Sequence, residues 1–528
     1  MRLRLSNLAS RRRIMIQRRS VRRTAYIAAT AAVALAIGVS ASAATGSPAA
    51  AGRYTSATVR PAYLDPHLTV QARVSDLLSR MTLPEKIGQM VQIEATQVTD
   101  TTDKCTSTGG FNMPNPVCEH RILVNDNIGS ILAGGSDIAP DTTGQGGVGN
   151  TGLDWANEYN TMQAYAMKHS RLHIPVIFGV DAVHGFGHPW QAPLFPQSIG
   201  TGATWDPSAA LAAGQVTGNA LRATGWTWAF APVQDVARDN RWGRYYETWS
   251  EEPALAASMG GAFVRGLQSG GSGGLKVTAT VKHFAGYSGS INGHDRVQAD
   301  VPIRELQDLY LPSYAGAIDA NAGTVMVDSG SVNGIPATAS HYLLTTQLRD
   351  RMGFKGVVIS DYGDVGALAT TYHMAAGLAG AAALAINAGV DMAMLPFGAD
   401  DWQTAVQQDV ADHSVSVSRI NQAVSRILTL KFQLGLFNQP CVGDPSKPCV
   451  DANAANAAVT AGRAGTLQAA QESMTLLRNQ NNALPLSSSS KIVVTGPSAD
   501  NMSNQLGGWS VSWQGVFGSG HEIGRAHV

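Results

Sequence analysis

The sequence is short of charge. Asp, Glu, Lys and Arg make up 14% of its 528 residues, against about 25% in ordinary usage. Aromatics reach only 7%, and there are four cysteines. No His-Glu-x-x-His zinc motif and no Gly-x-x-x-x-Gly-Lys-Ser/Thr phosphate loop is present. Zinc-protease and P-loop nucleotide chemistries therefore lack their residues. Beyond the first 43 residues no stretch runs 18 apolar residues without interruption, so no membrane-spanning helix is expected in the mature chain. The abundant residues are apolar and small: 44% are hydrophobic, and there are 56 glycines without a three-residue period. That excludes a disordered chain, a collagen and a coiled coil, and leaves a large, loop-rich globular protein.

A formal net charge of zero hides an asymmetry. Residues 1–43 carry nine Arg and no Lys, Asp or Glu, which leaves 29 basic against 38 acidic residues in the rest. A net acidic body argues against a nucleic-acid partner, because phosphate binding needs a basic surface. The N-terminal 43 residues read as a signal peptide. Arg11, Arg12, Arg13, Arg18, Arg19, Arg22 and Arg23 form the basic region, 25–39 the apolar region, and Ala41-Ser42-Ala43 the small-residue cleavage site. Ser10-Arg11-Arg12-Arg13-Ile14 resembles a twin-arginine signal, and Sec export stays open. The expected destination is outside the cell, with no membrane attachment after cleavage. Four cysteines suit that compartment. Cys105 and Cys118 flank one Gly/Pro/Asn-rich loop, and Cys441 and Cys449 flank another short loop. Three pairings are possible. Local pairing is favoured because each pair closes its own loop, whereas a zinc site has no His nearby at ligand spacing.

Thr82-Leu83-Pro84-Glu85 is a capping-box signature that opens a helix. After it come eight short apolar runs, at 90–93, 128–132, 176–180, 228–232, 277–281, 324–327, 357–360 and 390–394, separated by helical stretches. Runs apolar on both faces read as buried parallel strands. Eight of them alternating with helices predict an α/β fold, a (β/α)8 TIM-like barrel over 58–437. An amphipathic helix is expected over 419–437, a linker over 438–465, and the start of an α/β sandwich domain over 466–520, with new elements at 474–477, 484–486 and 492–495.

The residues at the strand ends carry the chemistry. Asp181 and His184 come after the third strand, and Arg238, Asp239, Arg241 and Arg244 after the fourth. Lys282 and His283 end the fifth, Asp328 and Ser329 the sixth, and Asp361 and Tyr362 the seventh. In such a barrel all of these converge on the C-terminal mouth, where catalytic groups sit. Carboxylates, a Lys-His pair, an Arg and aromatics suit a neutral, hydroxyl-rich substrate without a metal or cofactor. Glycoside hydrolysis needs two carboxyl groups. A Schiff base on Lys282 is the rival chemistry. It needs a depressed amine pKa, which acidic neighbours such as Asp181 and Asp361 oppose.

Four strings, in order, are Gly-Val-Asp-Ala-Val-His-Gly at 179–185, Phe-Ala-Pro-Val-Gln-Asp-Val-Ala-Arg-Asp-Asn-Arg-Trp-Gly-Arg at 230–244, Thr-Val-Lys-His-Phe at 280–284, and Gly-Phe-Lys-Gly-Val-Val-Ile-Ser-Asp at 353–361. With them the chain resembles glycoside hydrolase family 3, and within it the secreted β-glucosidases and exo-β-glucanases. The stretches around Trp228 and Trp509 look most like the plant-type glucan exohydrolase branch. The resemblance implies a retaining, exo-acting β-glycosidase whose substrate is a β-linked oligosaccharide or glucan. Asp361 would be the nucleophile, and Asp181 would hold two hydroxyls of the nonreducing-end sugar. Arg244, Lys282 and His283 would bind the same ring and keep Asp361 ionised. Tyr362, where this branch usually has Trp, would sandwich the next sugar with Trp509. His184, Asp235, Arg238 and Asp364 fit either mouth scaffolding or ligand roles.

Two departures stand out. Ser329 occupies the position where the family usually places a Tyr beside the nucleophile, and Asp328 is an extra carboxylate. The family's acid/base is usually a Glu in the second domain, about 200 residues after the nucleophile, which lies past Val528. The final string, 521–528, reads as translated adaptor sequence, so the second domain is expected to be cut short, with apolar surface exposed. Two same-family alternatives remain open, a β-N-acetylglucosaminidase, whose loop pattern 286–295 does not match, and a β-xylosidase. From a different class, a non-catalytic extracellular glycan-binding barrel also stays open.

Overall fold

The computed structural model describes residues 60–515 apart from 107–110, 134, 136, 272 and 273. The signal-peptide reading and the 521–528 tail lie outside the described residues. Eight strands form the core of the fold: Val91–Glu94, Ser130–Ala133, Ile177–Val180, Trp228–Ala229, Thr278–Phe284, Thr324–Val327, Val357–Ile359 and Ala393–Met394. Every ladder between them is parallel, and the first strand pairs with both the second and the eighth. A parallel bridge from Ile359 to Met392 joins the seventh strand to the eighth, with Ser360 N donating to Met392 O at 3.0 Å. The sheet therefore closes into the (β/α)8 TIM-like barrel, and each predicted strand overlaps an observed one.

The barrel interior is fully buried. Trp228 spans it, its Nε1 donating to Thr280 Oγ1 at 2.7 Å and Thr324 Oγ1 at 2.9 Å, and Gln92 Nε2 donates to Ser130 Oγ at 2.7 Å. The apolar runs thus conceal polar side chains that bond one another, as most buried polar groups do, although Gln92 Oε1 meets no partner among the described residues. Helices such as Gly152–His169, Pro207–Thr224 and Pro253–Leu267 wrap the outside. Thr82 and Glu85 form the expected capping box on helix Leu83–Gln89. The amphipathic helix spans Val417–Gln433 and stops earlier than its apolar pattern, because Gly435 turns left-handed at φ 76°. A small outer sheet of Gln298–Ala299, Ser331–Val332 and Ile335–Pro336 braces the loops above the fifth and sixth strands.

The stretch expected to be a linker is largely folded. Helix Ala452–Thr460, capped by the Asp451 side chain, buries Ala455 and Val459 against the barrel. It comes so close to the start of helix Gly152–His169 that a Cβ on Gly152 would meet Val459 Cγ2 at 2.8 Å. Small residues that resemble linker composition are here the condition for close helix packing. The structure joins Cys105 to Cys118 and Cys441 to Cys449. Beyond helix Arg463–Glu472 the segments 474–477, 484–486 and 492–495 form no strand. Their apolar side chains stand in solvent, Leu477 91% and Val493 87% exposed. A strand needs a neighbour for its backbone groups, and the described residues supply none there. Among the described residues no helix is long and apolar enough to cross a membrane.

Candidate active site

All seven predicted site residues converge on one end of the barrel. Asp181 comes directly after the third strand, Lys282 and His283 lie within the fifth, and Asp361 and Tyr362 come just after the seventh. Arg244 comes from the long loop after the fourth strand. Trp509 is brought in from far along the chain. Its segment docks on the third-strand loop, with Val511 N donating to Gly187 O at 3.0 Å and Gln197 Nε2 to Gly508 O at 2.8 Å. His184 and His188 lie under the same segment, 3.1 Å from Gly508 O and 2.9 Å from Val511 O. His184 is thus a scaffold for Trp509. The indole ring centre then lies 5.2 Å from Lys282 Nζ.

The charges are arranged in pairs. Lys282, 2% exposed, donates to Asp181 Oδ1 at 2.6 Å. With Nζ committed to a carboxylate, the Schiff-base reading has no support. Arg244 forks onto Glu247 through two bonds of 2.8 Å. Burial alone would raise the Glu247 carboxyl, but Arg244 overrides it and holds the group below the usual range. Asp235 Oδ2 lies 2.8 Å from His283 Nδ1 and accepts the His283 backbone N–H at 3.1 Å, while Tyr314 donates to Asp235 Oδ1 at 3.0 Å. Burial pushes His283 well below its ordinary value, helped by Arg244, Lys282 and Arg296, and pushes Asp235 up to about 7. His283 is therefore neutral. It can orient a substrate hydroxyl but adds no charge to hold Asp361 ionised, contrary to the role the sequence suggested.

Asp361 is buried at the centre of this group. Its Oδ1 accepts the Tyr362 N–H at 2.6 Å. Its Oδ2 meets no hydrogen-bond donor among the described residues and lies 3.8 Å from His283 Nε2. Burial would raise the carboxyl, but Arg296 and Arg244, with the Tyr362 N–H and Ser329, hold it below the ordinary value. One oxygen is pinned and the other is bare and ionised, which is the form a carboxylate nucleophile requires.

A comparison with known proteins then decides the family. Residues 82–430 match the glycosyl hydrolase family 3 N-terminal domain. The chain belongs to this family. Among similar curated proteins, the lysosomal beta glucosidase of Dictyostelium discoideum is 36% identical over 458 residues, covering 84% of this chain and 53% of that protein. The periplasmic beta-glucosidase of Salmonella typhimurium is 32% identical, with 84% and 53% covered. Among solved structures, an exo-1,3/1,4-beta-glucanase from a Pseudoalteromonas species superposes with a TM-score of 0.72 at 32% identity, covering 86% of this chain and 53% of the other. The chain thus spans about half the length of the curated relatives it matches.

Of the residues left open between scaffold and ligand, Asp235 supports His283. Arg238 faces Glu305 at 4.0 Å. Asp364 is bonded to Arg296 at 2.9 Å and is pushed up to about 7 by burial and by Asp361. The extra carboxylate Asp328 accepts the Gly330 N–H at 2.6 Å, and burial pushes it well above its ordinary value. Three mouth residues of this family 3 chain are not evident from the sequence pattern. Glu247 lies three residues after Arg244, a spacing that could have flagged it. Glu94 ends the first strand and is pushed up to about 8 by burial and by Asp137. A polar residue at the end of an apolar strand was the available signal. Arg296 lies just past a loop of glycines and turn residues, and nothing in its neighbours marks it.

Proposed function

We propose that this protein is a retaining, exo-acting β-glycosidase that removes terminal nonreducing β-D-glucosyl residues from oligosaccharides or β-glucans. The observation that carries this reading is Asp361, ionised, with Oδ1 pinned and Oδ2 bare, in a mouth built of polar pairs. In the proposed reaction Oδ2 attacks the anomeric carbon, the bond from that carbon to the leaving oxygen breaks, and the leaving oxygen takes a proton. Water then attacks the same carbon, its proton is removed, and Asp361 is released. Asp181, Lys282, His283 and Arg244 hold the sugar ring, and Tyr362 and Trp509 offer faces for the next unit. The names of the relatives, beta-glucosidases and an exo-1,3/1,4-beta-glucanase, support a β-glucoside as substrate.

The test uses a 2-fluoro-glucoside with a dinitrophenolate leaving group, which needs little acid assistance. The expected result is one added fluoro-sugar mapped to the peptide containing Asp361, and none on Asp361→Asn. Sugar binding without any covalent adduct would refute the enzyme reading and favour a glycan-binding barrel. Export is proposed on the pattern of residues 11–43, and N-terminal sequencing of the secreted protein should begin at Ala44. An intact Met1 on that protein would count against it.

A further inference from the structure

Three cations line the inner mouth, and two are already matched. Arg244 is forked onto Glu247, and Lys282 is bonded to Asp181. His283 is neutral. The cation left for Asp361 is Arg296. Its NH2 lies 3.6 Å from Asp361 Oδ1, and its NH1 donates to Asp364 Oδ1 at 2.9 Å and to the Tyr362 carbonyl at 3.2 Å. One guanidinium thus grips the exit of the seventh strand at positions 361, 362 and 364.

The loop that carries Arg296 is tied down on both sides. Tyr287 donates to Asp295 Oδ1 at 2.6 Å. Gly293, at φ 70°, packs so tightly on the fourth-strand loop that a Cβ would come within 2.8 Å of the Arg241 carbonyl carbon. Two residues after Arg296 the chain enters strand Gln298–Ala299, paired to Ser331–Val332. The guanidinium is therefore presented by a braced loop, although its side chain is 43% exposed.

We propose that Arg296 is a positioning residue for Asp361, reaching from the fifth-strand loop to pin the exit of the seventh strand and to hold its positive charge beside the Asp361 carboxylate. The proposal rests on the reading of Asp361 as nucleophile. Without the guanidinium, Asp361 stays buried beside one cation fewer and takes up its proton at higher pH.

The experiment measures the rate of labelling by the 2-fluoro-glucoside against pH, after thermal unfolding confirms that each variant is folded. In Arg296→Ala the acid limb should move up by about one pH unit or more, a tenfold or greater loss of labelling below the limb. Arg296→Lys should restore most of the limb position. If Arg296→Ala does not fold, Arg296→Gln, which keeps the stem and a hydrogen-bonding head, is read in the same way. A limb that stays at the wild-type pH overturns the proposal, whether or not the overall rate falls. Labelling of the wild type with such an unmoved limb leaves the nucleophile reading standing, whereas failure to label the wild type overturns both.

Discussion

Replacing Glu247 by Gln removes the charge that matches a buried guanidinium. The Arg244 side chain is 17% exposed and that of Glu247 2%, and two 2.8 Å bonds join them. Breaking a buried pair from one side costs about 3–5 kcal/mol, because the remaining charge stays desolvated. Gln keeps one acceptor oxygen, so the expected loss is at the lower end, about 3 kcal/mol. For a chain of this size the urea slope is at least about 3 kcal/mol/M, so the unfolding midpoint, monitored by tryptophan fluorescence, should fall by on the order of 1 M. The Glu247 carboxyl sits below its ordinary value of 4.5 in the fold. Its contribution is therefore fully present above pH 4.5 and is lost as pH falls through the lower folded value, so wild type and variant should converge in acid. The double substitution Arg244→Met with Glu247→Leu should be less destabilised than Glu247→Gln alone, since no orphan charge remains. A midpoint shift below about 0.3 M for Glu247→Gln, or a double variant no better than the single one, would refute the reasoning.

Glu158 is fully buried, both carboxyl oxygens meet no hydrogen-bond partner among the described residues, and burial together with Glu119 and Asp154 pushes it up to about 9. The folded state must keep this proton while the unfolded chain releases it. Glu158→Gln should therefore gain stability relative to wild type as pH rises from about 4.5 to 9, by up to about 1.4 kcal/mol per unit. A pH-independent difference in urea midpoints would contradict this. Tyr362 is 39% exposed, so Tyr362→Ala should leave thermal unfolding nearly unchanged while weakening calorimetric binding of a β-linked disaccharide about three- to tenfold. Unchanged affinity would remove Tyr362 from the second sugar site. Replacing both Cys105 and Cys118 by Ala opens a loop of sequence separation 13. Removing such a bridge should cost about 3 kcal/mol, and a shift under about 1 kcal/mol would mean that the loop is held by its packing.

Local patterns in the chain determined the barrel. Eight apolar runs bounded by turns leave few ways to bury parallel strands, and a capping box such as Thr82 with Glu85 acts within one helical turn. The same logic located Asp181, Lys282, His283 and Asp361, because strand ends in a barrel converge by geometry alone. Where the physics was non-local, the sequence was silent or misleading. Helix Ala452–Thr460 has the composition of a linker, because small residues read as flexible until a partner helix is seen to need them. His283 suggests a charge that helps hold Asp361, yet burial among three cations keeps it neutral. Arg296 could not be recognised at all, since its meaning is a distance to residues 65 and 68 positions away. Side-chain identity along a strand tracks the local pattern. The protonation of a mouth residue, and which cation serves which carboxylate, depend on desolvation and Coulomb terms summed over the folded neighbourhood, and only the tertiary structure decides them.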